Sequence, residues 1–225
     1  MGVSAFYPCT PSSEVPEALG RVAKQCGFYF EYSANEKIAF ETVAGAAFCG
    51  VRSLTAMKHF GLNVASDSVL PVAYVGVRGG LVVMVADDPQ GWSSAQTEQD
   101  TRYYAMMARM PMIEPSSPQE CLDYTRLAFG LSEEFRIPVF LRTTTKVSHS
   151  IGTVKLGRIP KPKTSGSFEK GTENYRNISP ALQKLHRAIE EKLARIEKKY
   201  GRLLTRTYAG RGSIGVITFG AGFEY

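Results

Sequence analysis

Short apolar runs alternate with amphipathic segments over the first two thirds of the chain, and most runs end at a proline, a glycine or a polar turn. The predicted strands are VSAFY, FYFEYS, RSLTAMKH, GGLVVMVADD, PMIEP and IPVFLRTTT. GGLVVMVADD is the clearest, because continuous apolar character is typical of a parallel strand covered on both faces. The alternation of strands and helices predicts an α/β fold with a doubly wound, mostly parallel sheet and helices on both faces.

Signals at the helix ends support the helices predicted between these strands. Ser12 or Ser13 can cap a helix over EVPEALGRVAKQC, and Gly27 supplies the left-handed residue at its end. The next helix begins at the N-cap candidate Asn35 and ends at Gly50. LNVASDSVLPVAYVG is predicted to form a short buried helix, and EQDTRYYAMMARM is predicted to be helical.

Two later helices carry their own start signals. SPQECLDYTRLAFGLSEEF opens with a capping box, in which Ser117 is the cap and Glu120 the third helical residue. A long amphipathic helix is capped by Ser179, with Pro180 at its first position. Its apolar stripe consists of Leu182, Leu185, Ile189, Leu193 and Ile196. GSIGVITFGAGFEY is then predicted to form a strand that runs into a glycine-rich turn.

The composition divides the chain into three parts. Residues 1–152 hold the alternating elements and form the predicted main domain. Residues 153–178 are rich in Lys, Gly, Ser, Thr and Pro, which predicts a linker that lies over the surface. Residues 179–225 are predicted to form a helix and the first strand of an incomplete second domain.

The net charge is divided unevenly along the 225 residues. The formal charge of +6 is the sum of −3 over residues 1–154 and +9 over residues 155–225. The long helix mixes Glu190, Glu191 and Glu197 with its lysines and arginines. We therefore expect a solvated or partner-facing helix and no nucleic-acid partner.

Sequence patterns also exclude several classes of site and location. No apolar run approaches about 18 residues, and no secretory signal opens the chain, so we expect a cytoplasmic protein with no membrane partner. The four cysteines, Cys9, Cys26, Cys49 and Cys121, match no zinc, redox or ferredoxin spacing. The three histidines lie far apart. A metal site made within this chain is therefore not predicted.

Candidate chemistry lies just after each strand, because a doubly wound sheet binds its ligand at the carboxyl ends of the strands. These segments are PCTPSSE, SANE, ADDPQGWSSAQTEQD and TTTKVSH. The first turn has no GxGxxG motif, and no GxxxxGK[ST] occurs, so a dinucleotide or P-loop site is not favoured.

Five segments in this order resemble a known family. They are YPCTPSSEV, SANEKIAFETVAGAAFCGVRSLTAMKHFGLNVASD, VADDPQGWSSAQTEQDTRYYA, PMIEPSSPQE and LRTTTKVSH. Together they are similar to the thiamine-pyrimidine-binding domain of the 2-oxoacid:ferredoxin oxidoreductases, and most similar to the alpha subunits of the indolepyruvate ferredoxin oxidoreductases. The resemblance implies a domain that holds the aminopyrimidine ring of thiamine diphosphate.

The resemblance implies a catalytic role for two residues. Glu36 matches the glutamate that hydrogen-bonds the ring nitrogen N1′ and so promotes removal of the C2 proton of the thiazolium; burial that raises its pKa suits this role. The alternative is that Glu36 only complements the helix dipole. Thr10 matches a threonine that contacts the substrate or the reactive face of the cofactor. Its alternative role is a turn or cap threonine.

Other candidates rest on their position after a strand. For the cofactor these are Pro8, Asp88 and Gln96, and for the substrate Trp92, Arg142 and His149, with Lys146 as a further cation. Asp87, Ser93, Ser94 and Gln99 can also line the pocket, although solvated loop residues are the alternative for most of this group. His59 and His186 are interpreted as structural.

The resemblance also implies parts that this sequence lacks. The diphosphate and Mg2+ belong to a second domain with a GDG motif, and the 4Fe-4S clusters need a CxxCxxCxxxCP run; neither motif occurs here. We therefore expect a truncated chain, inactive alone, whose partners are a diphosphate-binding domain, an iron-sulfur domain or subunit, a beta subunit, ferredoxin and coenzyme A. The implied reaction is oxidative decarboxylation of an aryl 2-oxoacid.

Two alternatives to this function stay open. One is the pyrimidine-domain subunit of a thiamine-dependent 2-oxoacid decarboxylase, which needs no iron-sulfur part. The other is a non-catalytic piece that contributes only a subunit interface. Binding of thiamine diphosphate in the presence of the missing parts distinguishes the enzyme from the non-catalytic piece.

Overall fold

The computed structural model describes residues 1–94, 97–158, 164–171 and 175–225. Its centre is one sheet of six strands in the order β2-β1-β3-β4-β6-β5, and every pair is parallel. The strands are β1 Val3–Phe6, β2 Tyr29–Tyr32, β3 Ser53–Lys58, β4 Leu81–Asp87, β5 Met112–Ile113 and β6 Val139–Thr144. The predicted doubly wound parallel sheet is thus confirmed.

Helices connect the strands and cover the sheet. They are α1 Glu14–Cys26, α2 Glu36–Phe48, α3 His59–Val75, α4 Arg102–Ala108, α5 Pro118–Phe135, α6 Thr145–Ser148 and α7 Ala181–Leu204. Two short 3-10 turns lie at Pro89–Gly91 and Gly220–Glu224. Within the described ranges, no helix combines the length and the apolar character that crossing a bilayer requires.

Each face of the sheet has its own apolar core. Helices α2, α3 and α4 cover one face, where Phe40, Met57 and Phe140 are fully buried. Helices α1 and α5 cover the other face, around the fully buried Phe6 and Val139. Alternate residues of the central strands therefore enter different cores, which explains the continuous apolar run of β4.

The signals at the first two helices are only partly confirmed. Gly27 ends α1 with a left-handed φ of 70°, and the Asn35 side chain caps α2 by accepting a hydrogen bond from the Ile38 N–H at 3.0 Å. Neither predicted serine caps α1: Ser13 makes no side-chain cap bond, and the Ser12 hydroxyl instead donates to the Cys9 carbonyl.

Helix boundaries near β3 also differ from the prediction. Helix α2 ends at Phe48 rather than Gly50, because the chain turns at Gly50 with a φ of 79°. His59, predicted to end the third strand, begins α3, so this helix is longer than expected. Helix α4 begins only at Arg102, four residues after the predicted segment begins at Glu98.

The predicted capping box of α5 is half formed. The Glu120 N–H donates to the Ser117 hydroxyl at 3.3 Å, as expected for the cap. The Glu120 carboxylate accepts from the N–H of Ser116 at 2.9 Å and not from Ser117. The Glu120 side chain thus binds the backbone N–H of Ser116, one residue before the Ser117 N–H that the capping box predicts.

Residues after α7 do not form the predicted strand. The segment 205–219 is fully described and contains no strand, and Ile214, Val216 and Ile217 are exposed. The reason is that no neighbouring backbone pairs with this segment, and an unpaired strand is not stable in water. At the start of α7, Pro180 occupies the N-cap position, so Ser179 is not its cap.

Candidate active site

The strand order predicts a crevice at the carboxyl edge of the sheet, beside β1. Strand β1 lies between β2 and β3, and α1 and α2 leave this region on opposite faces of the sheet. Such a switch point opens a space outside the carboxyl ends of the strands. The loop after β1, the start of α2 and the end of β3 border this space.

Glu36 is the first residue of α2 and is only 5% exposed. Within the described ranges, no hydrogen bond joins its carboxylate to another residue, although its own backbone N–H contributes a favourable interaction. Burial raises the pKa of Glu36, and the N–H contact only partly offsets this. The site therefore holds a buried carboxyl group whose proton is retained more strongly than usual.

The Glu36 side chain packs directly on α3. Its carboxyl oxygen Oε1 and its Cγ occupy the space that a side chain at Gly61 would need. The Asn35 cap fixes the backbone on the other side of Glu36. The carboxyl group is thus held between the first turn of α2 and the first turn of α3.

The loop after β1 lies close to this carboxyl group. Burial raises the pKa of the Cys9 thiol, while the positive charge of Lys58 lowers it and the negative charge of Glu36 raises it further. Cys9 is therefore near both charged groups, and the adjacent Thr10 is half-buried in a turn. Pro8 is exposed. The loop brings Thr10 to the same edge as Glu36.

Lys58 and Asp88 form a buried ion pair at this edge. Lys58 Nζ lies 2.8 Å from Asp88 Oδ2, and it also donates to the hydroxyl of Ser94. Asp88 further accepts from the Thr145 hydroxyl at 2.6 Å and the Ser93 hydroxyl at 2.7 Å. Burial alone would raise the pKa of Asp88, but these donors outweigh it and hold the pKa far below its usual range.

Asp87 forms a second charged cluster on the opposite face of the sheet. It accepts from Arg142 Nε at 2.7 Å and from the N–H of Thr101 at 3.0 Å. Arg142 Nη1 also contacts Glu114 at 2.6 Å, and the arginine side chain is 5% exposed. Asp88 thus binds Ser93 near the start of the loop before α4, and Asp87 binds Thr101 at its end.

Three further candidates either pair with residues other than Glu36 or fall outside the described residues. Trp92 is 79% exposed and donates only to Gln90 at 3.0 Å. The partly exposed His149 lies 3.4 Å from Glu14 at the start of α1. Gln96 falls outside the residues that the structure describes. Among the described residues, the hydrogen bond of Trp92 and the ion pair of His149 do not involve Glu36.

His59 lies behind the edge and is fully buried. Its Nε2 donates to the Thr97 carbonyl at 2.8 Å, which fixes the tautomer and supports the interpretation of a structural histidine. Burial lowers the pKa of His59 and outweighs the neighbouring carboxylates. The hydrogen bond ties the loop after Trp92 to the start of α3.

Sequence analysis missed Lys58 and Gly61 as parts of this edge. The signal for Lys58 was present, because a lysine that ends an apolar strand covered on both faces needs a buried partner. No sequence signal marks Gly61, whose importance depends on the distance between two helices. Across the described residues, no three metal-binding side chains cluster.

Residues 1–199 match a protein family described as pyruvate flavodoxin/ferredoxin oxidoreductase, thiamine diphosphate-binding. The indolepyruvate oxidoreductase subunit IorA of Methanothermobacter marburgensis is 47% identical over 230 residues, which cover 100% of this chain and 37% of that protein. The IorA subunit of Thermococcus kodakarensis is 46% identical, and its match covers 100% of this chain and 36% of that protein. The chain thus spans little more than a third of these relatives.

More distant matches extend to enzymes with another 2-oxoacid in their names. The 2-oxoglutarate synthase subunit KorA of Methanothermobacter thermautotrophicus is 31% identical over 153 residues, which cover 64% of this chain and 40% of that protein. The structure of 2-oxoglutarate:ferredoxin oxidoreductase from Magnetococcus marinus aligns with a TM-score of 0.69 at 18% identity, over 89% of this chain and 42% of that chain. At that identity the alignment shows a shared fold.

Proposed function

This chain belongs to the pyruvate flavodoxin/ferredoxin oxidoreductase family, through the thiamine diphosphate-binding domain of that family, and we propose that it holds the aminopyrimidine half of the cofactor. The observation that carries the proposal is the buried carboxyl group of Glu36. It lies at the ligand-binding edge of a parallel sheet, without a hydrogen-bond partner in another described residue. A buried carboxyl group that has no hydrogen-bond partner among the described residues can form a hydrogen bond with the ring nitrogen of an aminopyrimidine.

Each proposed role follows from the chemistry of the side chain. When bound, thiamine diphosphate supplies a carbon nucleophile for attack on the carbonyl group of a 2-oxoacid. Glu36 shares a proton with the aminopyrimidine ring, and burial, which raises the pKa of Glu36, makes it hold that proton more firmly than an exposed glutamate does. Thr10 donates a hydrogen bond from its hydroxyl group to the oxygen on which negative charge develops.

The other residues predicted to contact the cofactor or the substrate have less support than Glu36. Asp88 and Arg142 are occupied by buried ion pairs, so we propose that they shape the edge, and any direct contact with ligand stays a prediction. The predicted contacts of Pro8, Trp92 and His149 also stay predictions. We propose that the diphosphate and Mg2+ are bound outside this chain, because the resemblance assigns them to a GDG motif that does not occur in this sequence.

For the whole enzyme, we propose oxidative decarboxylation of an aryl 2-oxoacid to an acyl-coenzyme A, with electrons passed to ferredoxin. The support is the identity of 47% to an indolepyruvate oxidoreductase subunit over the full chain, compared with 31% over 64% of the chain for a 2-oxoglutarate synthase subunit. Iron-sulfur clusters and further subunits are proposed for the parts outside this chain.

A binding experiment in the assembly that contains this chain tests the proposal. Thiamine diphosphate is titrated calorimetrically into the assembly with wild-type chain and with Glu36→Gln, and exchange of the C2 proton of bound thiamine is followed by NMR. We expect exchange to slow by about 100-fold or more in Glu36→Gln, which is the usual size of a general acid-base contribution. Exchange at the wild-type rate contradicts the proposed role of Glu36.

The same titration tests the non-catalytic alternative. If the wild-type assembly binds no thiamine diphosphate, the chain contributes only an interface. A thiamine-dependent decarboxylase without iron-sulfur parts is identified by product: it releases an aldehyde without coenzyme A and does not reduce ferredoxin.

A further inference from the structure

We propose that Gly61 is a positioning residue for Glu36, because its missing side chain leaves the space that the carboxyl group of the glutamate occupies. The inference rests on the proposed function of Glu36, and it adds a residue outside the strand-end motifs. Gly61 lies in the first turn of α3 and is buried. It belongs to a different element from the residue that it positions.

The contact between the two residues is unusually close. A Cβ atom added at Gly61 would lie 2.6 Å from Glu36 Oε1, 2.8 Å from Cγ and 2.9 Å from Cδ. Real Cβ atoms do not approach other atoms this closely. The carboxyl group of Glu36 therefore rests on the bare backbone of α3, in space that only glycine leaves free.

Other helical glycines provide a comparison within the same fold. Gly45 in α2 and Gly130 in α5 have no atom within 4 Å of an added Cβ. A glycine inside a helix costs about 0.5–1 kcal/mol relative to alanine. At Gly45 and Gly130 an alanine would fit without contacting any described neighbour. At Gly61 an alanine would clash with the side chain of Glu36, so only glycine fits there.

The glutamate side chain has to move when Gly61 is replaced. The backbone at Glu36 is held by the Asn35 cap, whose oxygen accepts from the Ile38 N–H at 3.0 Å. The side chain of Glu36 is the flexible partner in the clash, so α3 can form while the carboxyl group rotates away. A displaced carboxyl group loses burial and no longer meets a ring that the rest of the site holds in place.

The experiment compares Gly61→Ala with Gly45→Ala in the assembly that contains this chain. Two properties are measured: the rate of C2 proton exchange on bound thiamine, and the pH midpoint of the Glu36 carboxyl band in the difference infrared spectrum against Glu36→Gln. We expect Gly61→Ala to slow C2 proton exchange on the order of 10- to 100-fold, as for a reacting group misplaced by about 1 Å. We expect the midpoint to fall toward that of an exposed glutamate, while Gly45→Ala leaves both properties unchanged.

A stability cycle keeps the inference testable if Gly61→Ala folds poorly. The free energies of unfolding are compared for Gly61→Ala, Glu36→Ala and the double variant. We expect Gly61→Ala to destabilise the wild type but not the Glu36→Ala chain, because the missing carboxyl group leaves room for the added methyl group. An equal loss in both backgrounds overturns the positioning role.

The outcomes also separate this inference from the proposed function. If Glu36→Gln slows exchange but Gly61→Ala behaves like Gly45→Ala, the role of Gly61 is wrong and that of Glu36 stands. If Glu36→Gln leaves exchange unchanged, the proposed role of Glu36 is wrong, and the inference about Gly61 fails with it.

Discussion

Lys58 at the end of β3 and Asp88 just after β4 form an ion pair of 2.8 Å, in which neither side chain is more than 1% exposed. The neighbouring strands are parallel and in register, with Lys58 opposite Ala86. Asp87 and Asp88 point to opposite faces, and Asp87 pairs with Arg142 at 2.7 Å. Two buried charged clusters thus stabilise the carboxyl edge of the sheet.

We predict that either single replacement of the Lys58–Asp88 pair strongly destabilises the fold. Removing one partner from a buried pair leaves an uncompensated charge and costs about 3–5 kcal/mol. Lys58→Met leaves Asp88 with its hydroxyl donors, and Asp88→Asn leaves Lys58 with Ser94. Urea unfolding followed by circular dichroism measures both losses.

The double variant Lys58→Met with Asp88→Asn is the control for this prediction. It removes both charges, so its loss should be smaller than the sum of the two single losses by about 1–3 kcal/mol. Strictly additive losses would mean that the two side chains stabilise the edge independently.

Because the pKa of Asp88 is lowered in the folded state, we predict that its contribution to the free energy of unfolding decreases at acid pH. A group whose pKa is lower in the folded state contributes fully above the unfolded value of about 3.9, and the contribution is lost as the pH falls toward the folded value. The gap in unfolding free energy between wild type and Asp88→Asn should therefore be constant above about pH 5 and shrink below about pH 4. Parallel curves across this range would contradict the prediction.

Two helix caps of similar strength differ in what they should do to the site. Asn35 accepts from the Ile38 N–H at 3.0 Å beside Glu36, and Ser117 accepts from the Glu120 N–H at 3.3 Å on α5. Replacing either cap by alanine should cost about 1 kcal/mol in unfolding free energy. Only Asn35→Ala should also weaken thiamine diphosphate binding by the assembly, because it frays the turn that holds Glu36. Equal binding by both variants would contradict this coupling.

The sequence predicted those features that depend on short stretches of chain. The continuous apolar run of β4 correctly predicted a parallel strand covered on both faces. Gly27 correctly predicted the end of α1. The predicted family is confirmed by the match over residues 1–199. Glu36 lies at the predicted edge because the start of α2 follows the end of β2 directly.

Features that depend on packing between distant segments were not predictable in this way. The strand expected near Ile217 is missing because an apolar pattern does not specify which backbone it pairs with. The ion pairs of Arg142 with Asp87 and Glu114, which lie 55 and 28 positions before it, were not predicted from the sequence. The contact between Gly61 and Glu36 depends on the approach of two helices, which no local motif encodes.

Finally, we predict that Glu36→Gln stabilises the chain although it impairs the proposed chemistry. Burial raises the pKa of Glu36 in the folded state. The stability that its bound proton provides is fully present below the unfolded pKa of about 4.3 and is lost as the pH rises through the folded pKa. Glutamine carries no charge to bury, so the variant should gain in unfolding free energy relative to wild type as the pH rises above about 4.3 and the buried carboxyl group ionises.

Glu17 provides the matched control for this last prediction, since it also lies in the first turn of a helix but is exposed. Glu17→Gln removes only the favourable interaction with the helix dipole, so it should destabilise by about 0.3–1 kcal/mol at neutral pH. Opposite signs for the two variants would show that burial outweighs the dipole at Glu36. A loss of stability in both variants would mean that Glu36 only complements the helix dipole. A gain confined to Glu36→Gln is the expected result, because residues kept for function often reduce the stability of the fold.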